Sequence, residues 1–280
     1  MLVTRPYRVT WALELDDAPS SAARVEYTLN LLLYCLFAID ASYLASHPNA
    51  PLFAASGVRY MPEAPGQEDW QDIPTTIENR FGDAKDLAAW LCAEKWIRAG
   101  QPVIPEFQRV RMASGSYGFR VGMRDQATGH WQPLPGDPVL GSKMRRVTFG
   151  LDLFRGAEER ELSRQALRLM LDCLYKIDLA YLATHPNTPP IYRSGVRYME
   201  EPLGQEDWQD VATSIRMGVA DCEDCACWRA AERTLRQGLP SKPVYIEQPR
   251  DDGSMLYHIV VADARTGQVV EDPSRVLGMR

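Results

Sequence analysis

Residues 8–15, Arg8-Val-Thr-Trp-Ala-Leu-Glu-Leu, return as Arg146-Val-Thr-Phe-Gly-Leu-Asp-Leu, an offset of 138. The same offset aligns Cys35–Asp72 with Cys173–Asp210 without a gap, and 25 of those 38 positions are identical. It holds again where Ser116–Gly129 faces Ser254–Gly267. The register slips only near the end, where Asp137-Pro138 answers Asp272-Pro273 and the first copy carries three extra residues within Pro133–Gly136. Self-similarity of this extent marks a duplication. It sets a boundary near residue 145, giving domains of 1–145 and 146–280, each of ordinary domain size.

Each copy reads as α+β. In the second, a strand over 146–153 precedes a long helix over 161–184, in which Leu167, Met170, Leu171, Leu174, Ile177 and Leu182 recur at helical spacing. His185-Pro186-Asn187 stops it, because proline and its predecessor disfavour helix. After an irregular segment over 191–210 and a short helix, a second long helix is predicted over 221–237. Gly238 is its C′ stop and Pro240 follows. Strands over 243–248 and 255–262, the turn Arg265-Thr-Gly267 and a strand over 268–271 complete the copy.

The second helix opens on Asp221-Cys222-Glu223-Asp224. Asp221 is a good N-cap and Asp224, three residues on, makes a capping-box pair. Cys222 then takes the first helical position, where unpaired N–H groups and the helix dipole favour a thiolate and can receive an oxyanion. Its thiol is therefore expected to ionise below the ordinary value of about 8.5. His258 lies mid-strand in Tyr257-His258-Ile259-Val260, and Asp272 ends the next strand in Glu271-Asp272-Pro273-Ser274. Pairing backward from the turn puts Asp272 roughly level with His258, where its carboxylate is expected to hold the imidazole Nδ1–H. The alternative use of Asp272, before a proline, is to cap the turn that follows.

A cysteine at a helix start, followed by histidine and aspartate on successive strands, resembles the transglutaminase-like (papain-like) cysteine protease superfamily in its bacterial and phage-type members. The matching pieces are Ala220-Asp221-Cys222-Glu223-Asp224, Tyr257-His258-Ile259-Val260 and Glu271-Asp272-Pro273-Ser274, with Gly195-Val-Arg-Tyr198 upstream. The resemblance implies two tandem papain/transglutaminase-like domains, each a helical part packed on a small antiparallel sheet. It implies Cys222 as nucleophile, His258 as base and Asp272 as the group that orients it, acting on an amide-bearing protein or peptide through a thioester. Trp208 and Gln205 are candidate oxyanion donors. The first copy has Ala84 at the thiol position and Arg120 at the imidazole position, and keeps Asp83 and Asp86. That pattern is the one expected of a pseudoenzyme. A different class of function remains beside this one, a catalytically silent two-domain scaffold or assembly protein, as of a phage-like particle.

Other motifs have plainer readings. Cys222, Cys225, Cys227 and His258 suggest zinc, but Cys227 lies about 200° around a helix from Cys225, and the first copy has Leu87 and Ala89 at those two places. Buried small residues are the better reading, so neither a metal nor a cofactor is expected. His185 and Cys173, matched by His47 and Cys35, are read as structural, and Trp228, matched by Trp90, as core. The repeat of Gly204-Gln-Glu-Asp-Trp-Gln-Asp210 as Gly66-Gln-Glu-Asp-Trp-Gln-Asp72 favours fold stabilisation. Glu223, which replaces Lys85, is read as a solvated first-turn acid.

A net charge of −6 without a dense basic run argues against nucleic acid as a partner. The N-terminus shows no apolar leader, and the longest apolar cluster, Leu29–Leu36, is broken by Asn30 and followed by Asp40, short of a membrane span. The six cysteines lack disulfide-like spacing, so a cytoplasmic protein is expected.

Overall fold

A computed structural model of the chain describes residues 7–13, 15, 22–63, 68–111, 117–134, 146–151, 160–201, 206–249 and 255–279. It is a mixed α+β structure whose strands form several small sheets. The elements run β1 (Tyr7–Ala12), α1 (Ala22–Ser46), β2 (Arg59–Tyr60), β3 (Asp69–Gln71), α2 (Ile73–Asn79), β4 (Phe81–Gly82), α3 (Ala84–Ala99), β5 (Val103–Arg111), β6 (Tyr117–Asp125) and β7 (Trp131–Pro133). They recur in the same order as β8 (Arg146–Leu151), α4 (Arg160–Thr184), β9 (Arg197–Tyr198), β10 (Asp207–Gln209), α5 (Val211–Met217), β11 (Val219–Ala220), α6 (Cys222–Gln237), β12 (Ser241–Pro249), β13 (Met255–Asp263) and β14 (Val269–Glu271), closed by α7 (Pro273–Val276).

The chain divides into two compact units. Unit 1 holds Met1–Thr10 and Leu15–Leu169, and unit 2 holds Trp11–Glu14 and Met170–Arg280. In unit 1, β8 pairs in parallel with β3, Trp70 opposite Phe149, and the two rings stack at 5.5 Å. In unit 2, Trp11 packs on Trp208 at 5.4 Å, and Asp210 N donates to Ala12 O at 3.4 Å. Each tryptophan of the repeated Asp-Trp-Gln strand thus meets an aromatic residue from the opening strand of the other sequence copy.

In unit 1, α1 packs on α3 and β5. By length and composition α1 is long and apolar enough to cross a membrane, which corrects the expectation drawn from Leu29–Leu36 alone. Its polar residues show what it is packed for. The Asn30 side chain donates to Phe107 O at 3.0 Å and accepts from Phe107 N at 2.7 Å, while fully buried Asp40 accepts from Ile73 N at 2.8 Å. Leu29, Leu32, Leu33 and Leu36 are buried beside them, a core helix tied down by buried hydrogen bonds. Asp178 in α4 repeats the device, accepting from Val211 N at 3.0 Å.

In unit 2, β12, β13 and β14 form an antiparallel sheet on which α6 packs. The β12–β13 ladder runs from Ser241–Asp263 to Pro249–Met255. The β13–β14 ladder is short and bulged: Val261 faces Glu271 but Ala262 faces Val269, leaving Val270 as the extra residue. Cys225, Trp228 and Ala231 of α6 form one core cluster with Leu182, Ile191, Val196, Val211 and Ala220. The α6 helix ends at Gly238, whose φ of 66° is the left-handed conformation that favours glycine at a C-cap.

Candidate functional site

Cys222 is the first residue of α6, behind the N-cap Asp221. Asp221 N donates to Asp224 Oδ2 at 3.4 Å, a looser box than in α3, where Asp83 N reaches Asp86 Oδ2 at 3.0 Å. The other oxygen of Asp224 accepts from Gln209 N at 2.7 Å, pinning β10 to the helix start, as Asp86 pins Gln71 N at 2.9 Å. This explains why the Asp-Trp-Gln strand is kept in both copies. It braces the first turn of the helix that carries the thiol position.

Of the six cysteines, Cys222 alone is partly exposed, and Cys225 and Cys227 are buried as expected of small core residues. The Cys222 thiol donates to Glu223 Oε2 at 3.2 Å, and the Ile259 backbone N–H is directed at its sulfur. The latter contact sets the thiol beside β13 at the peptide next to His258. Burial, then the carboxylates of Glu223 and Asp221, push this thiol well above its ordinary range. The expected depression is therefore reversed. Burial of the sulfur, with the carboxylates of Glu223 and the N-cap Asp221, outweighs the dipole of one helix end.

His258 is buried mid-strand, opposite Ile246 of β12, and Arg120 occupies the matching register position opposite Gln108. The imidazole meets Asp272 as expected, but through Nε2, 3.0 Å from Asp272 Oδ2, and not through Nδ1. Nor is Asp272 level with His258 along the sheet. Glu271 already faces Val261, so Asp272 reaches back along β13 with its side chain. The two uses foreseen for Asp272 coexist: it is also the N-cap of α7, with Oδ1 accepting from Arg275 N at 3.4 Å, and Arg275 Nε lies 3.1 Å from Oδ2.

Trp208 sits in the core at 3% exposure, its indole N–H buried without an acceptor among the described residues, which places it with the packing residues. Gln205 lies outside the described residues, as does Asp137 of the first copy. His185 is structural in geometry: its Nδ1 is 3.0 Å from Tyr181 O and its ring stacks on Tyr181, as His47 does on Tyr43.

Glu223 is not a solvated acid. It is 4% exposed, and its carboxylate joins those of Glu201, Glu206 and Asp221 in a cluster whose oxygens all lie within 4.8 Å of one another. Tyr198 stands beside the same group, its hydroxyl pushed up by burial and then by Cys222 and Asp221. Glu201 and Glu206 carry no spacing that sequence reasoning could flag. The Lys85-to-Glu223 exchange between copies was the one visible sign. Comparison of the chain with protein-family models, with curated proteins and with solved structures gives no match.

Proposed function

We propose that this chain is a thiol-dependent acyl-transfer enzyme, a tandemly duplicated relative of the transglutaminase-like cysteine peptidases, with the second copy active and the first a pseudoenzyme. One observation carries the reading. The His258 imidazole is committed through Nε2 to Asp272, on the strand whose next peptide N–H faces the Cys222 sulfur. Nδ1 is then the nitrogen left to serve the thiol.

In this mechanism Cys222 rests as a neutral thiol donating to Glu223. An amide carbonyl carbon is attacked by Sγ as its proton passes to His258 Nδ1, with Asp272 stabilising the imidazolium. The backbone N–H groups at the start of α6 not taken by the capping box are the donors this reading offers to the developing oxyanion. Collapse breaks the C–N bond, the amine leaves with the proton returned by His258, and a thioester remains on Cys222. Water or a second amine resolves it. The substrate class is a protein or peptide amide.

A catalytically silent scaffold or assembly protein is favoured instead by the setting of the Cys222 thiol, packed against the carboxylates of Glu223 and Asp221, which disfavour a thiolate. p-Nitrophenyl acetate separates the two. The full chain is expected to release a stoichiometric burst of nitrophenol and to carry one acetyl group on Cys222 by mass spectrometry. Cys222→Ala should abolish the burst and His258→Ala should slow it at least tenfold. No acetylation of the wild type, or equal rates with and without His258, would remove the catalytic reading.

A further inference from the structure

The first turns of α3 and α6 differ by a reversal of charge at one buried point. In unit 1, carboxylate oxygens of Glu63, Glu68 and Asp83 lie within 4.8 Å of one another. The ammonium of Lys85 enters that group, 2.8 Å from Glu63 Oε2, 3.4 Å from Glu68 Oε2 and hydrogen-bonded to Asp83 Oδ2. Lys85 is 2% exposed, an unusual depth for a lysine, and it is stable there because three carboxylates surround it. Burial pulls its pKa down, yet the carboxylates of Asp86, Asp83, Glu68 and Glu63 outweigh burial and hold it above the ordinary value.

The offset of 138 maps Glu63, Glu68 and Asp83 onto Glu201, Glu206 and Asp221, and maps Lys85 onto Glu223. Unit 2 therefore keeps the three acids, loses the ammonium and gains a fourth carboxylate in the same small volume. Replacing +1 by −1 makes the cluster two charges more negative than its counterpart. Two of its oxygens lack a protein donor. Glu223 Oε1 and Asp221 Oδ1 are buried, on side chains 4% and 7% exposed, and meet no donor from the protein among the described residues; the two carboxylates lie against each other, a contact that needs a shared proton or a cation. Buried acceptors left without a donor or counter-charge are strongly disfavoured. Glu201 is already positioned, with both oxygens on Asp207 N at 2.9 and 2.8 Å.

We infer that Glu201, Glu206, Asp221 and Glu223 bind one divalent cation at the place where unit 1 holds the Lys85 ammonium. With every acid ionised, a charge of +2 is the amount by which the two clusters differ, and a bound cation would hold the acids of unit 2 in that form. Four carboxylates with no imidazole among them suit a hard cation of the calcium, magnesium or manganese kind, whose bond lengths of about 2.0–2.6 Å set donor oxygens roughly 3–5 Å apart. The oxygens here meet that spacing. The Cys222 thiol engages the other oxygen of Glu223, so cation site and thiol adjoin through a single side chain. This inference does not depend on the acyl-transfer reading, because it concerns binding alone.

The full chain, stripped with EDTA and dialysed, is titrated by calorimetry with CaCl2, MgCl2 and MnCl2 at constant ionic strength, and its melting is followed in parallel. At least one of the three ions is expected to bind with a stoichiometry of one per chain and to raise Tm further with each tenfold increase in free ion. Glu223→Lys rebuilds the arrangement of unit 1. It is expected to melt above the ion-free wild type and to lose both the binding heat and the ion-dependent rise. Should that variant not fold, Glu201→Gln is expected to weaken binding at least tenfold. Failure of all three ions to bind or to raise the Tm of the wild type would show a cluster that shares protons, and would overturn the inference. So would ion binding undiminished in Glu223→Lys or Glu201→Gln, which would place the ion elsewhere.

Discussion

Asp272 divides its two oxygens between two sides, with His258 Nε2 and Arg275 Nε on Oδ2 and Arg275 N on Oδ1. An asparagine has one acceptor oxygen and cannot serve both. Asp272→Asn is therefore expected to cost about 1 kcal/mol when the α7 cap is lost, or to turn its amide NH2 toward Nε2 and disfavour the tautomer the mechanism needs. Acetylation of Cys222 measured well below Tm should fall tenfold or more, and an unchanged rate would take Asp272 out of the reacting group. Chain order made the contact of His258 with Asp272 legible in the sequence, and helix-start chemistry the place of Cys222 at the head of α6. The choice of Nε2 was not legible, because it depends on the Val270 bulge, which displaces Asp272 along β13. The state of the thiol is illegible for a related reason. Local rules see a helix N-terminus, whereas the burial of the sulfur and of Glu223 is decided by the fold.

The β14 strand is three residues long and makes only two pairings with β13, too few to fix where Asp272 begins. Side chains of α6 supply the rest. Glu271 Oε1 accepts from Arg229 Nε at 2.9 Å and from Tyr192 OH at 2.5 Å, and its Oε2 accepts from Arg233 at 3.1 Å. Arg229 also reaches Glu232 at 2.9 Å and lies over the Tyr192 ring at 5.0 Å. At the matching places the first copy has Leu91 for Arg229 and Ala54 for Tyr192, so this clamp belongs to the copy with the thiol. Glu271→Ala leaves two largely buried guanidinium groups short of a partner and is expected to cost roughly 3 kcal/mol. If Glu271 positions Asp272, acetylation of Cys222 should also slow at temperatures where the variant is fully folded, with Glu271→Gln intermediate. Loss of stability with an unaltered rate would leave it a purely structural clamp. The helices and strands themselves were readable to within a few residues from periodicity, caps and Gly238. The clamp was not, since Tyr192 and Glu271 are 79 residues apart and meet only in the folded unit.

At the scale of the whole chain, duplication supplies its own control, because the same backbone device exists with two different charge fillings. It also explains what the sequence left open about the units. The opening segments 8–15 and 146–153 are near copies in sequence, as are the strands Asp69–Gln71 and Asp207–Gln209, so the sequence does not say which opening segment pairs with which partner. The β3 strand takes β8, and no sequence pattern distinguishes that choice from the alternative. The charge filling, by contrast, is written in single residues and can be moved. Lys85→Glu gives unit 1 a four-carboxylate cluster of Glu63, Glu68, Asp83 and the new side chain at position 85. In the absence of divalent ions this variant should be strongly destabilised, on the order of 3–5 kcal/mol, since a buried ammonium is lost and a buried carboxylate added. If a cluster of this shape and charge is what binds the ion in unit 2, the same variant should gain a second site. Calorimetry should then give two ions per chain where the wild type gives one, and saturating ion should restore much of the lost Tm. Paired with Glu223→Lys, the stoichiometry should return to one, now carried by unit 1. A Lys85→Glu chain that folds and still binds a single ion would show that charge and spacing alone do not make the site, and that a feature of α6 and its surroundings absent from α3 is required.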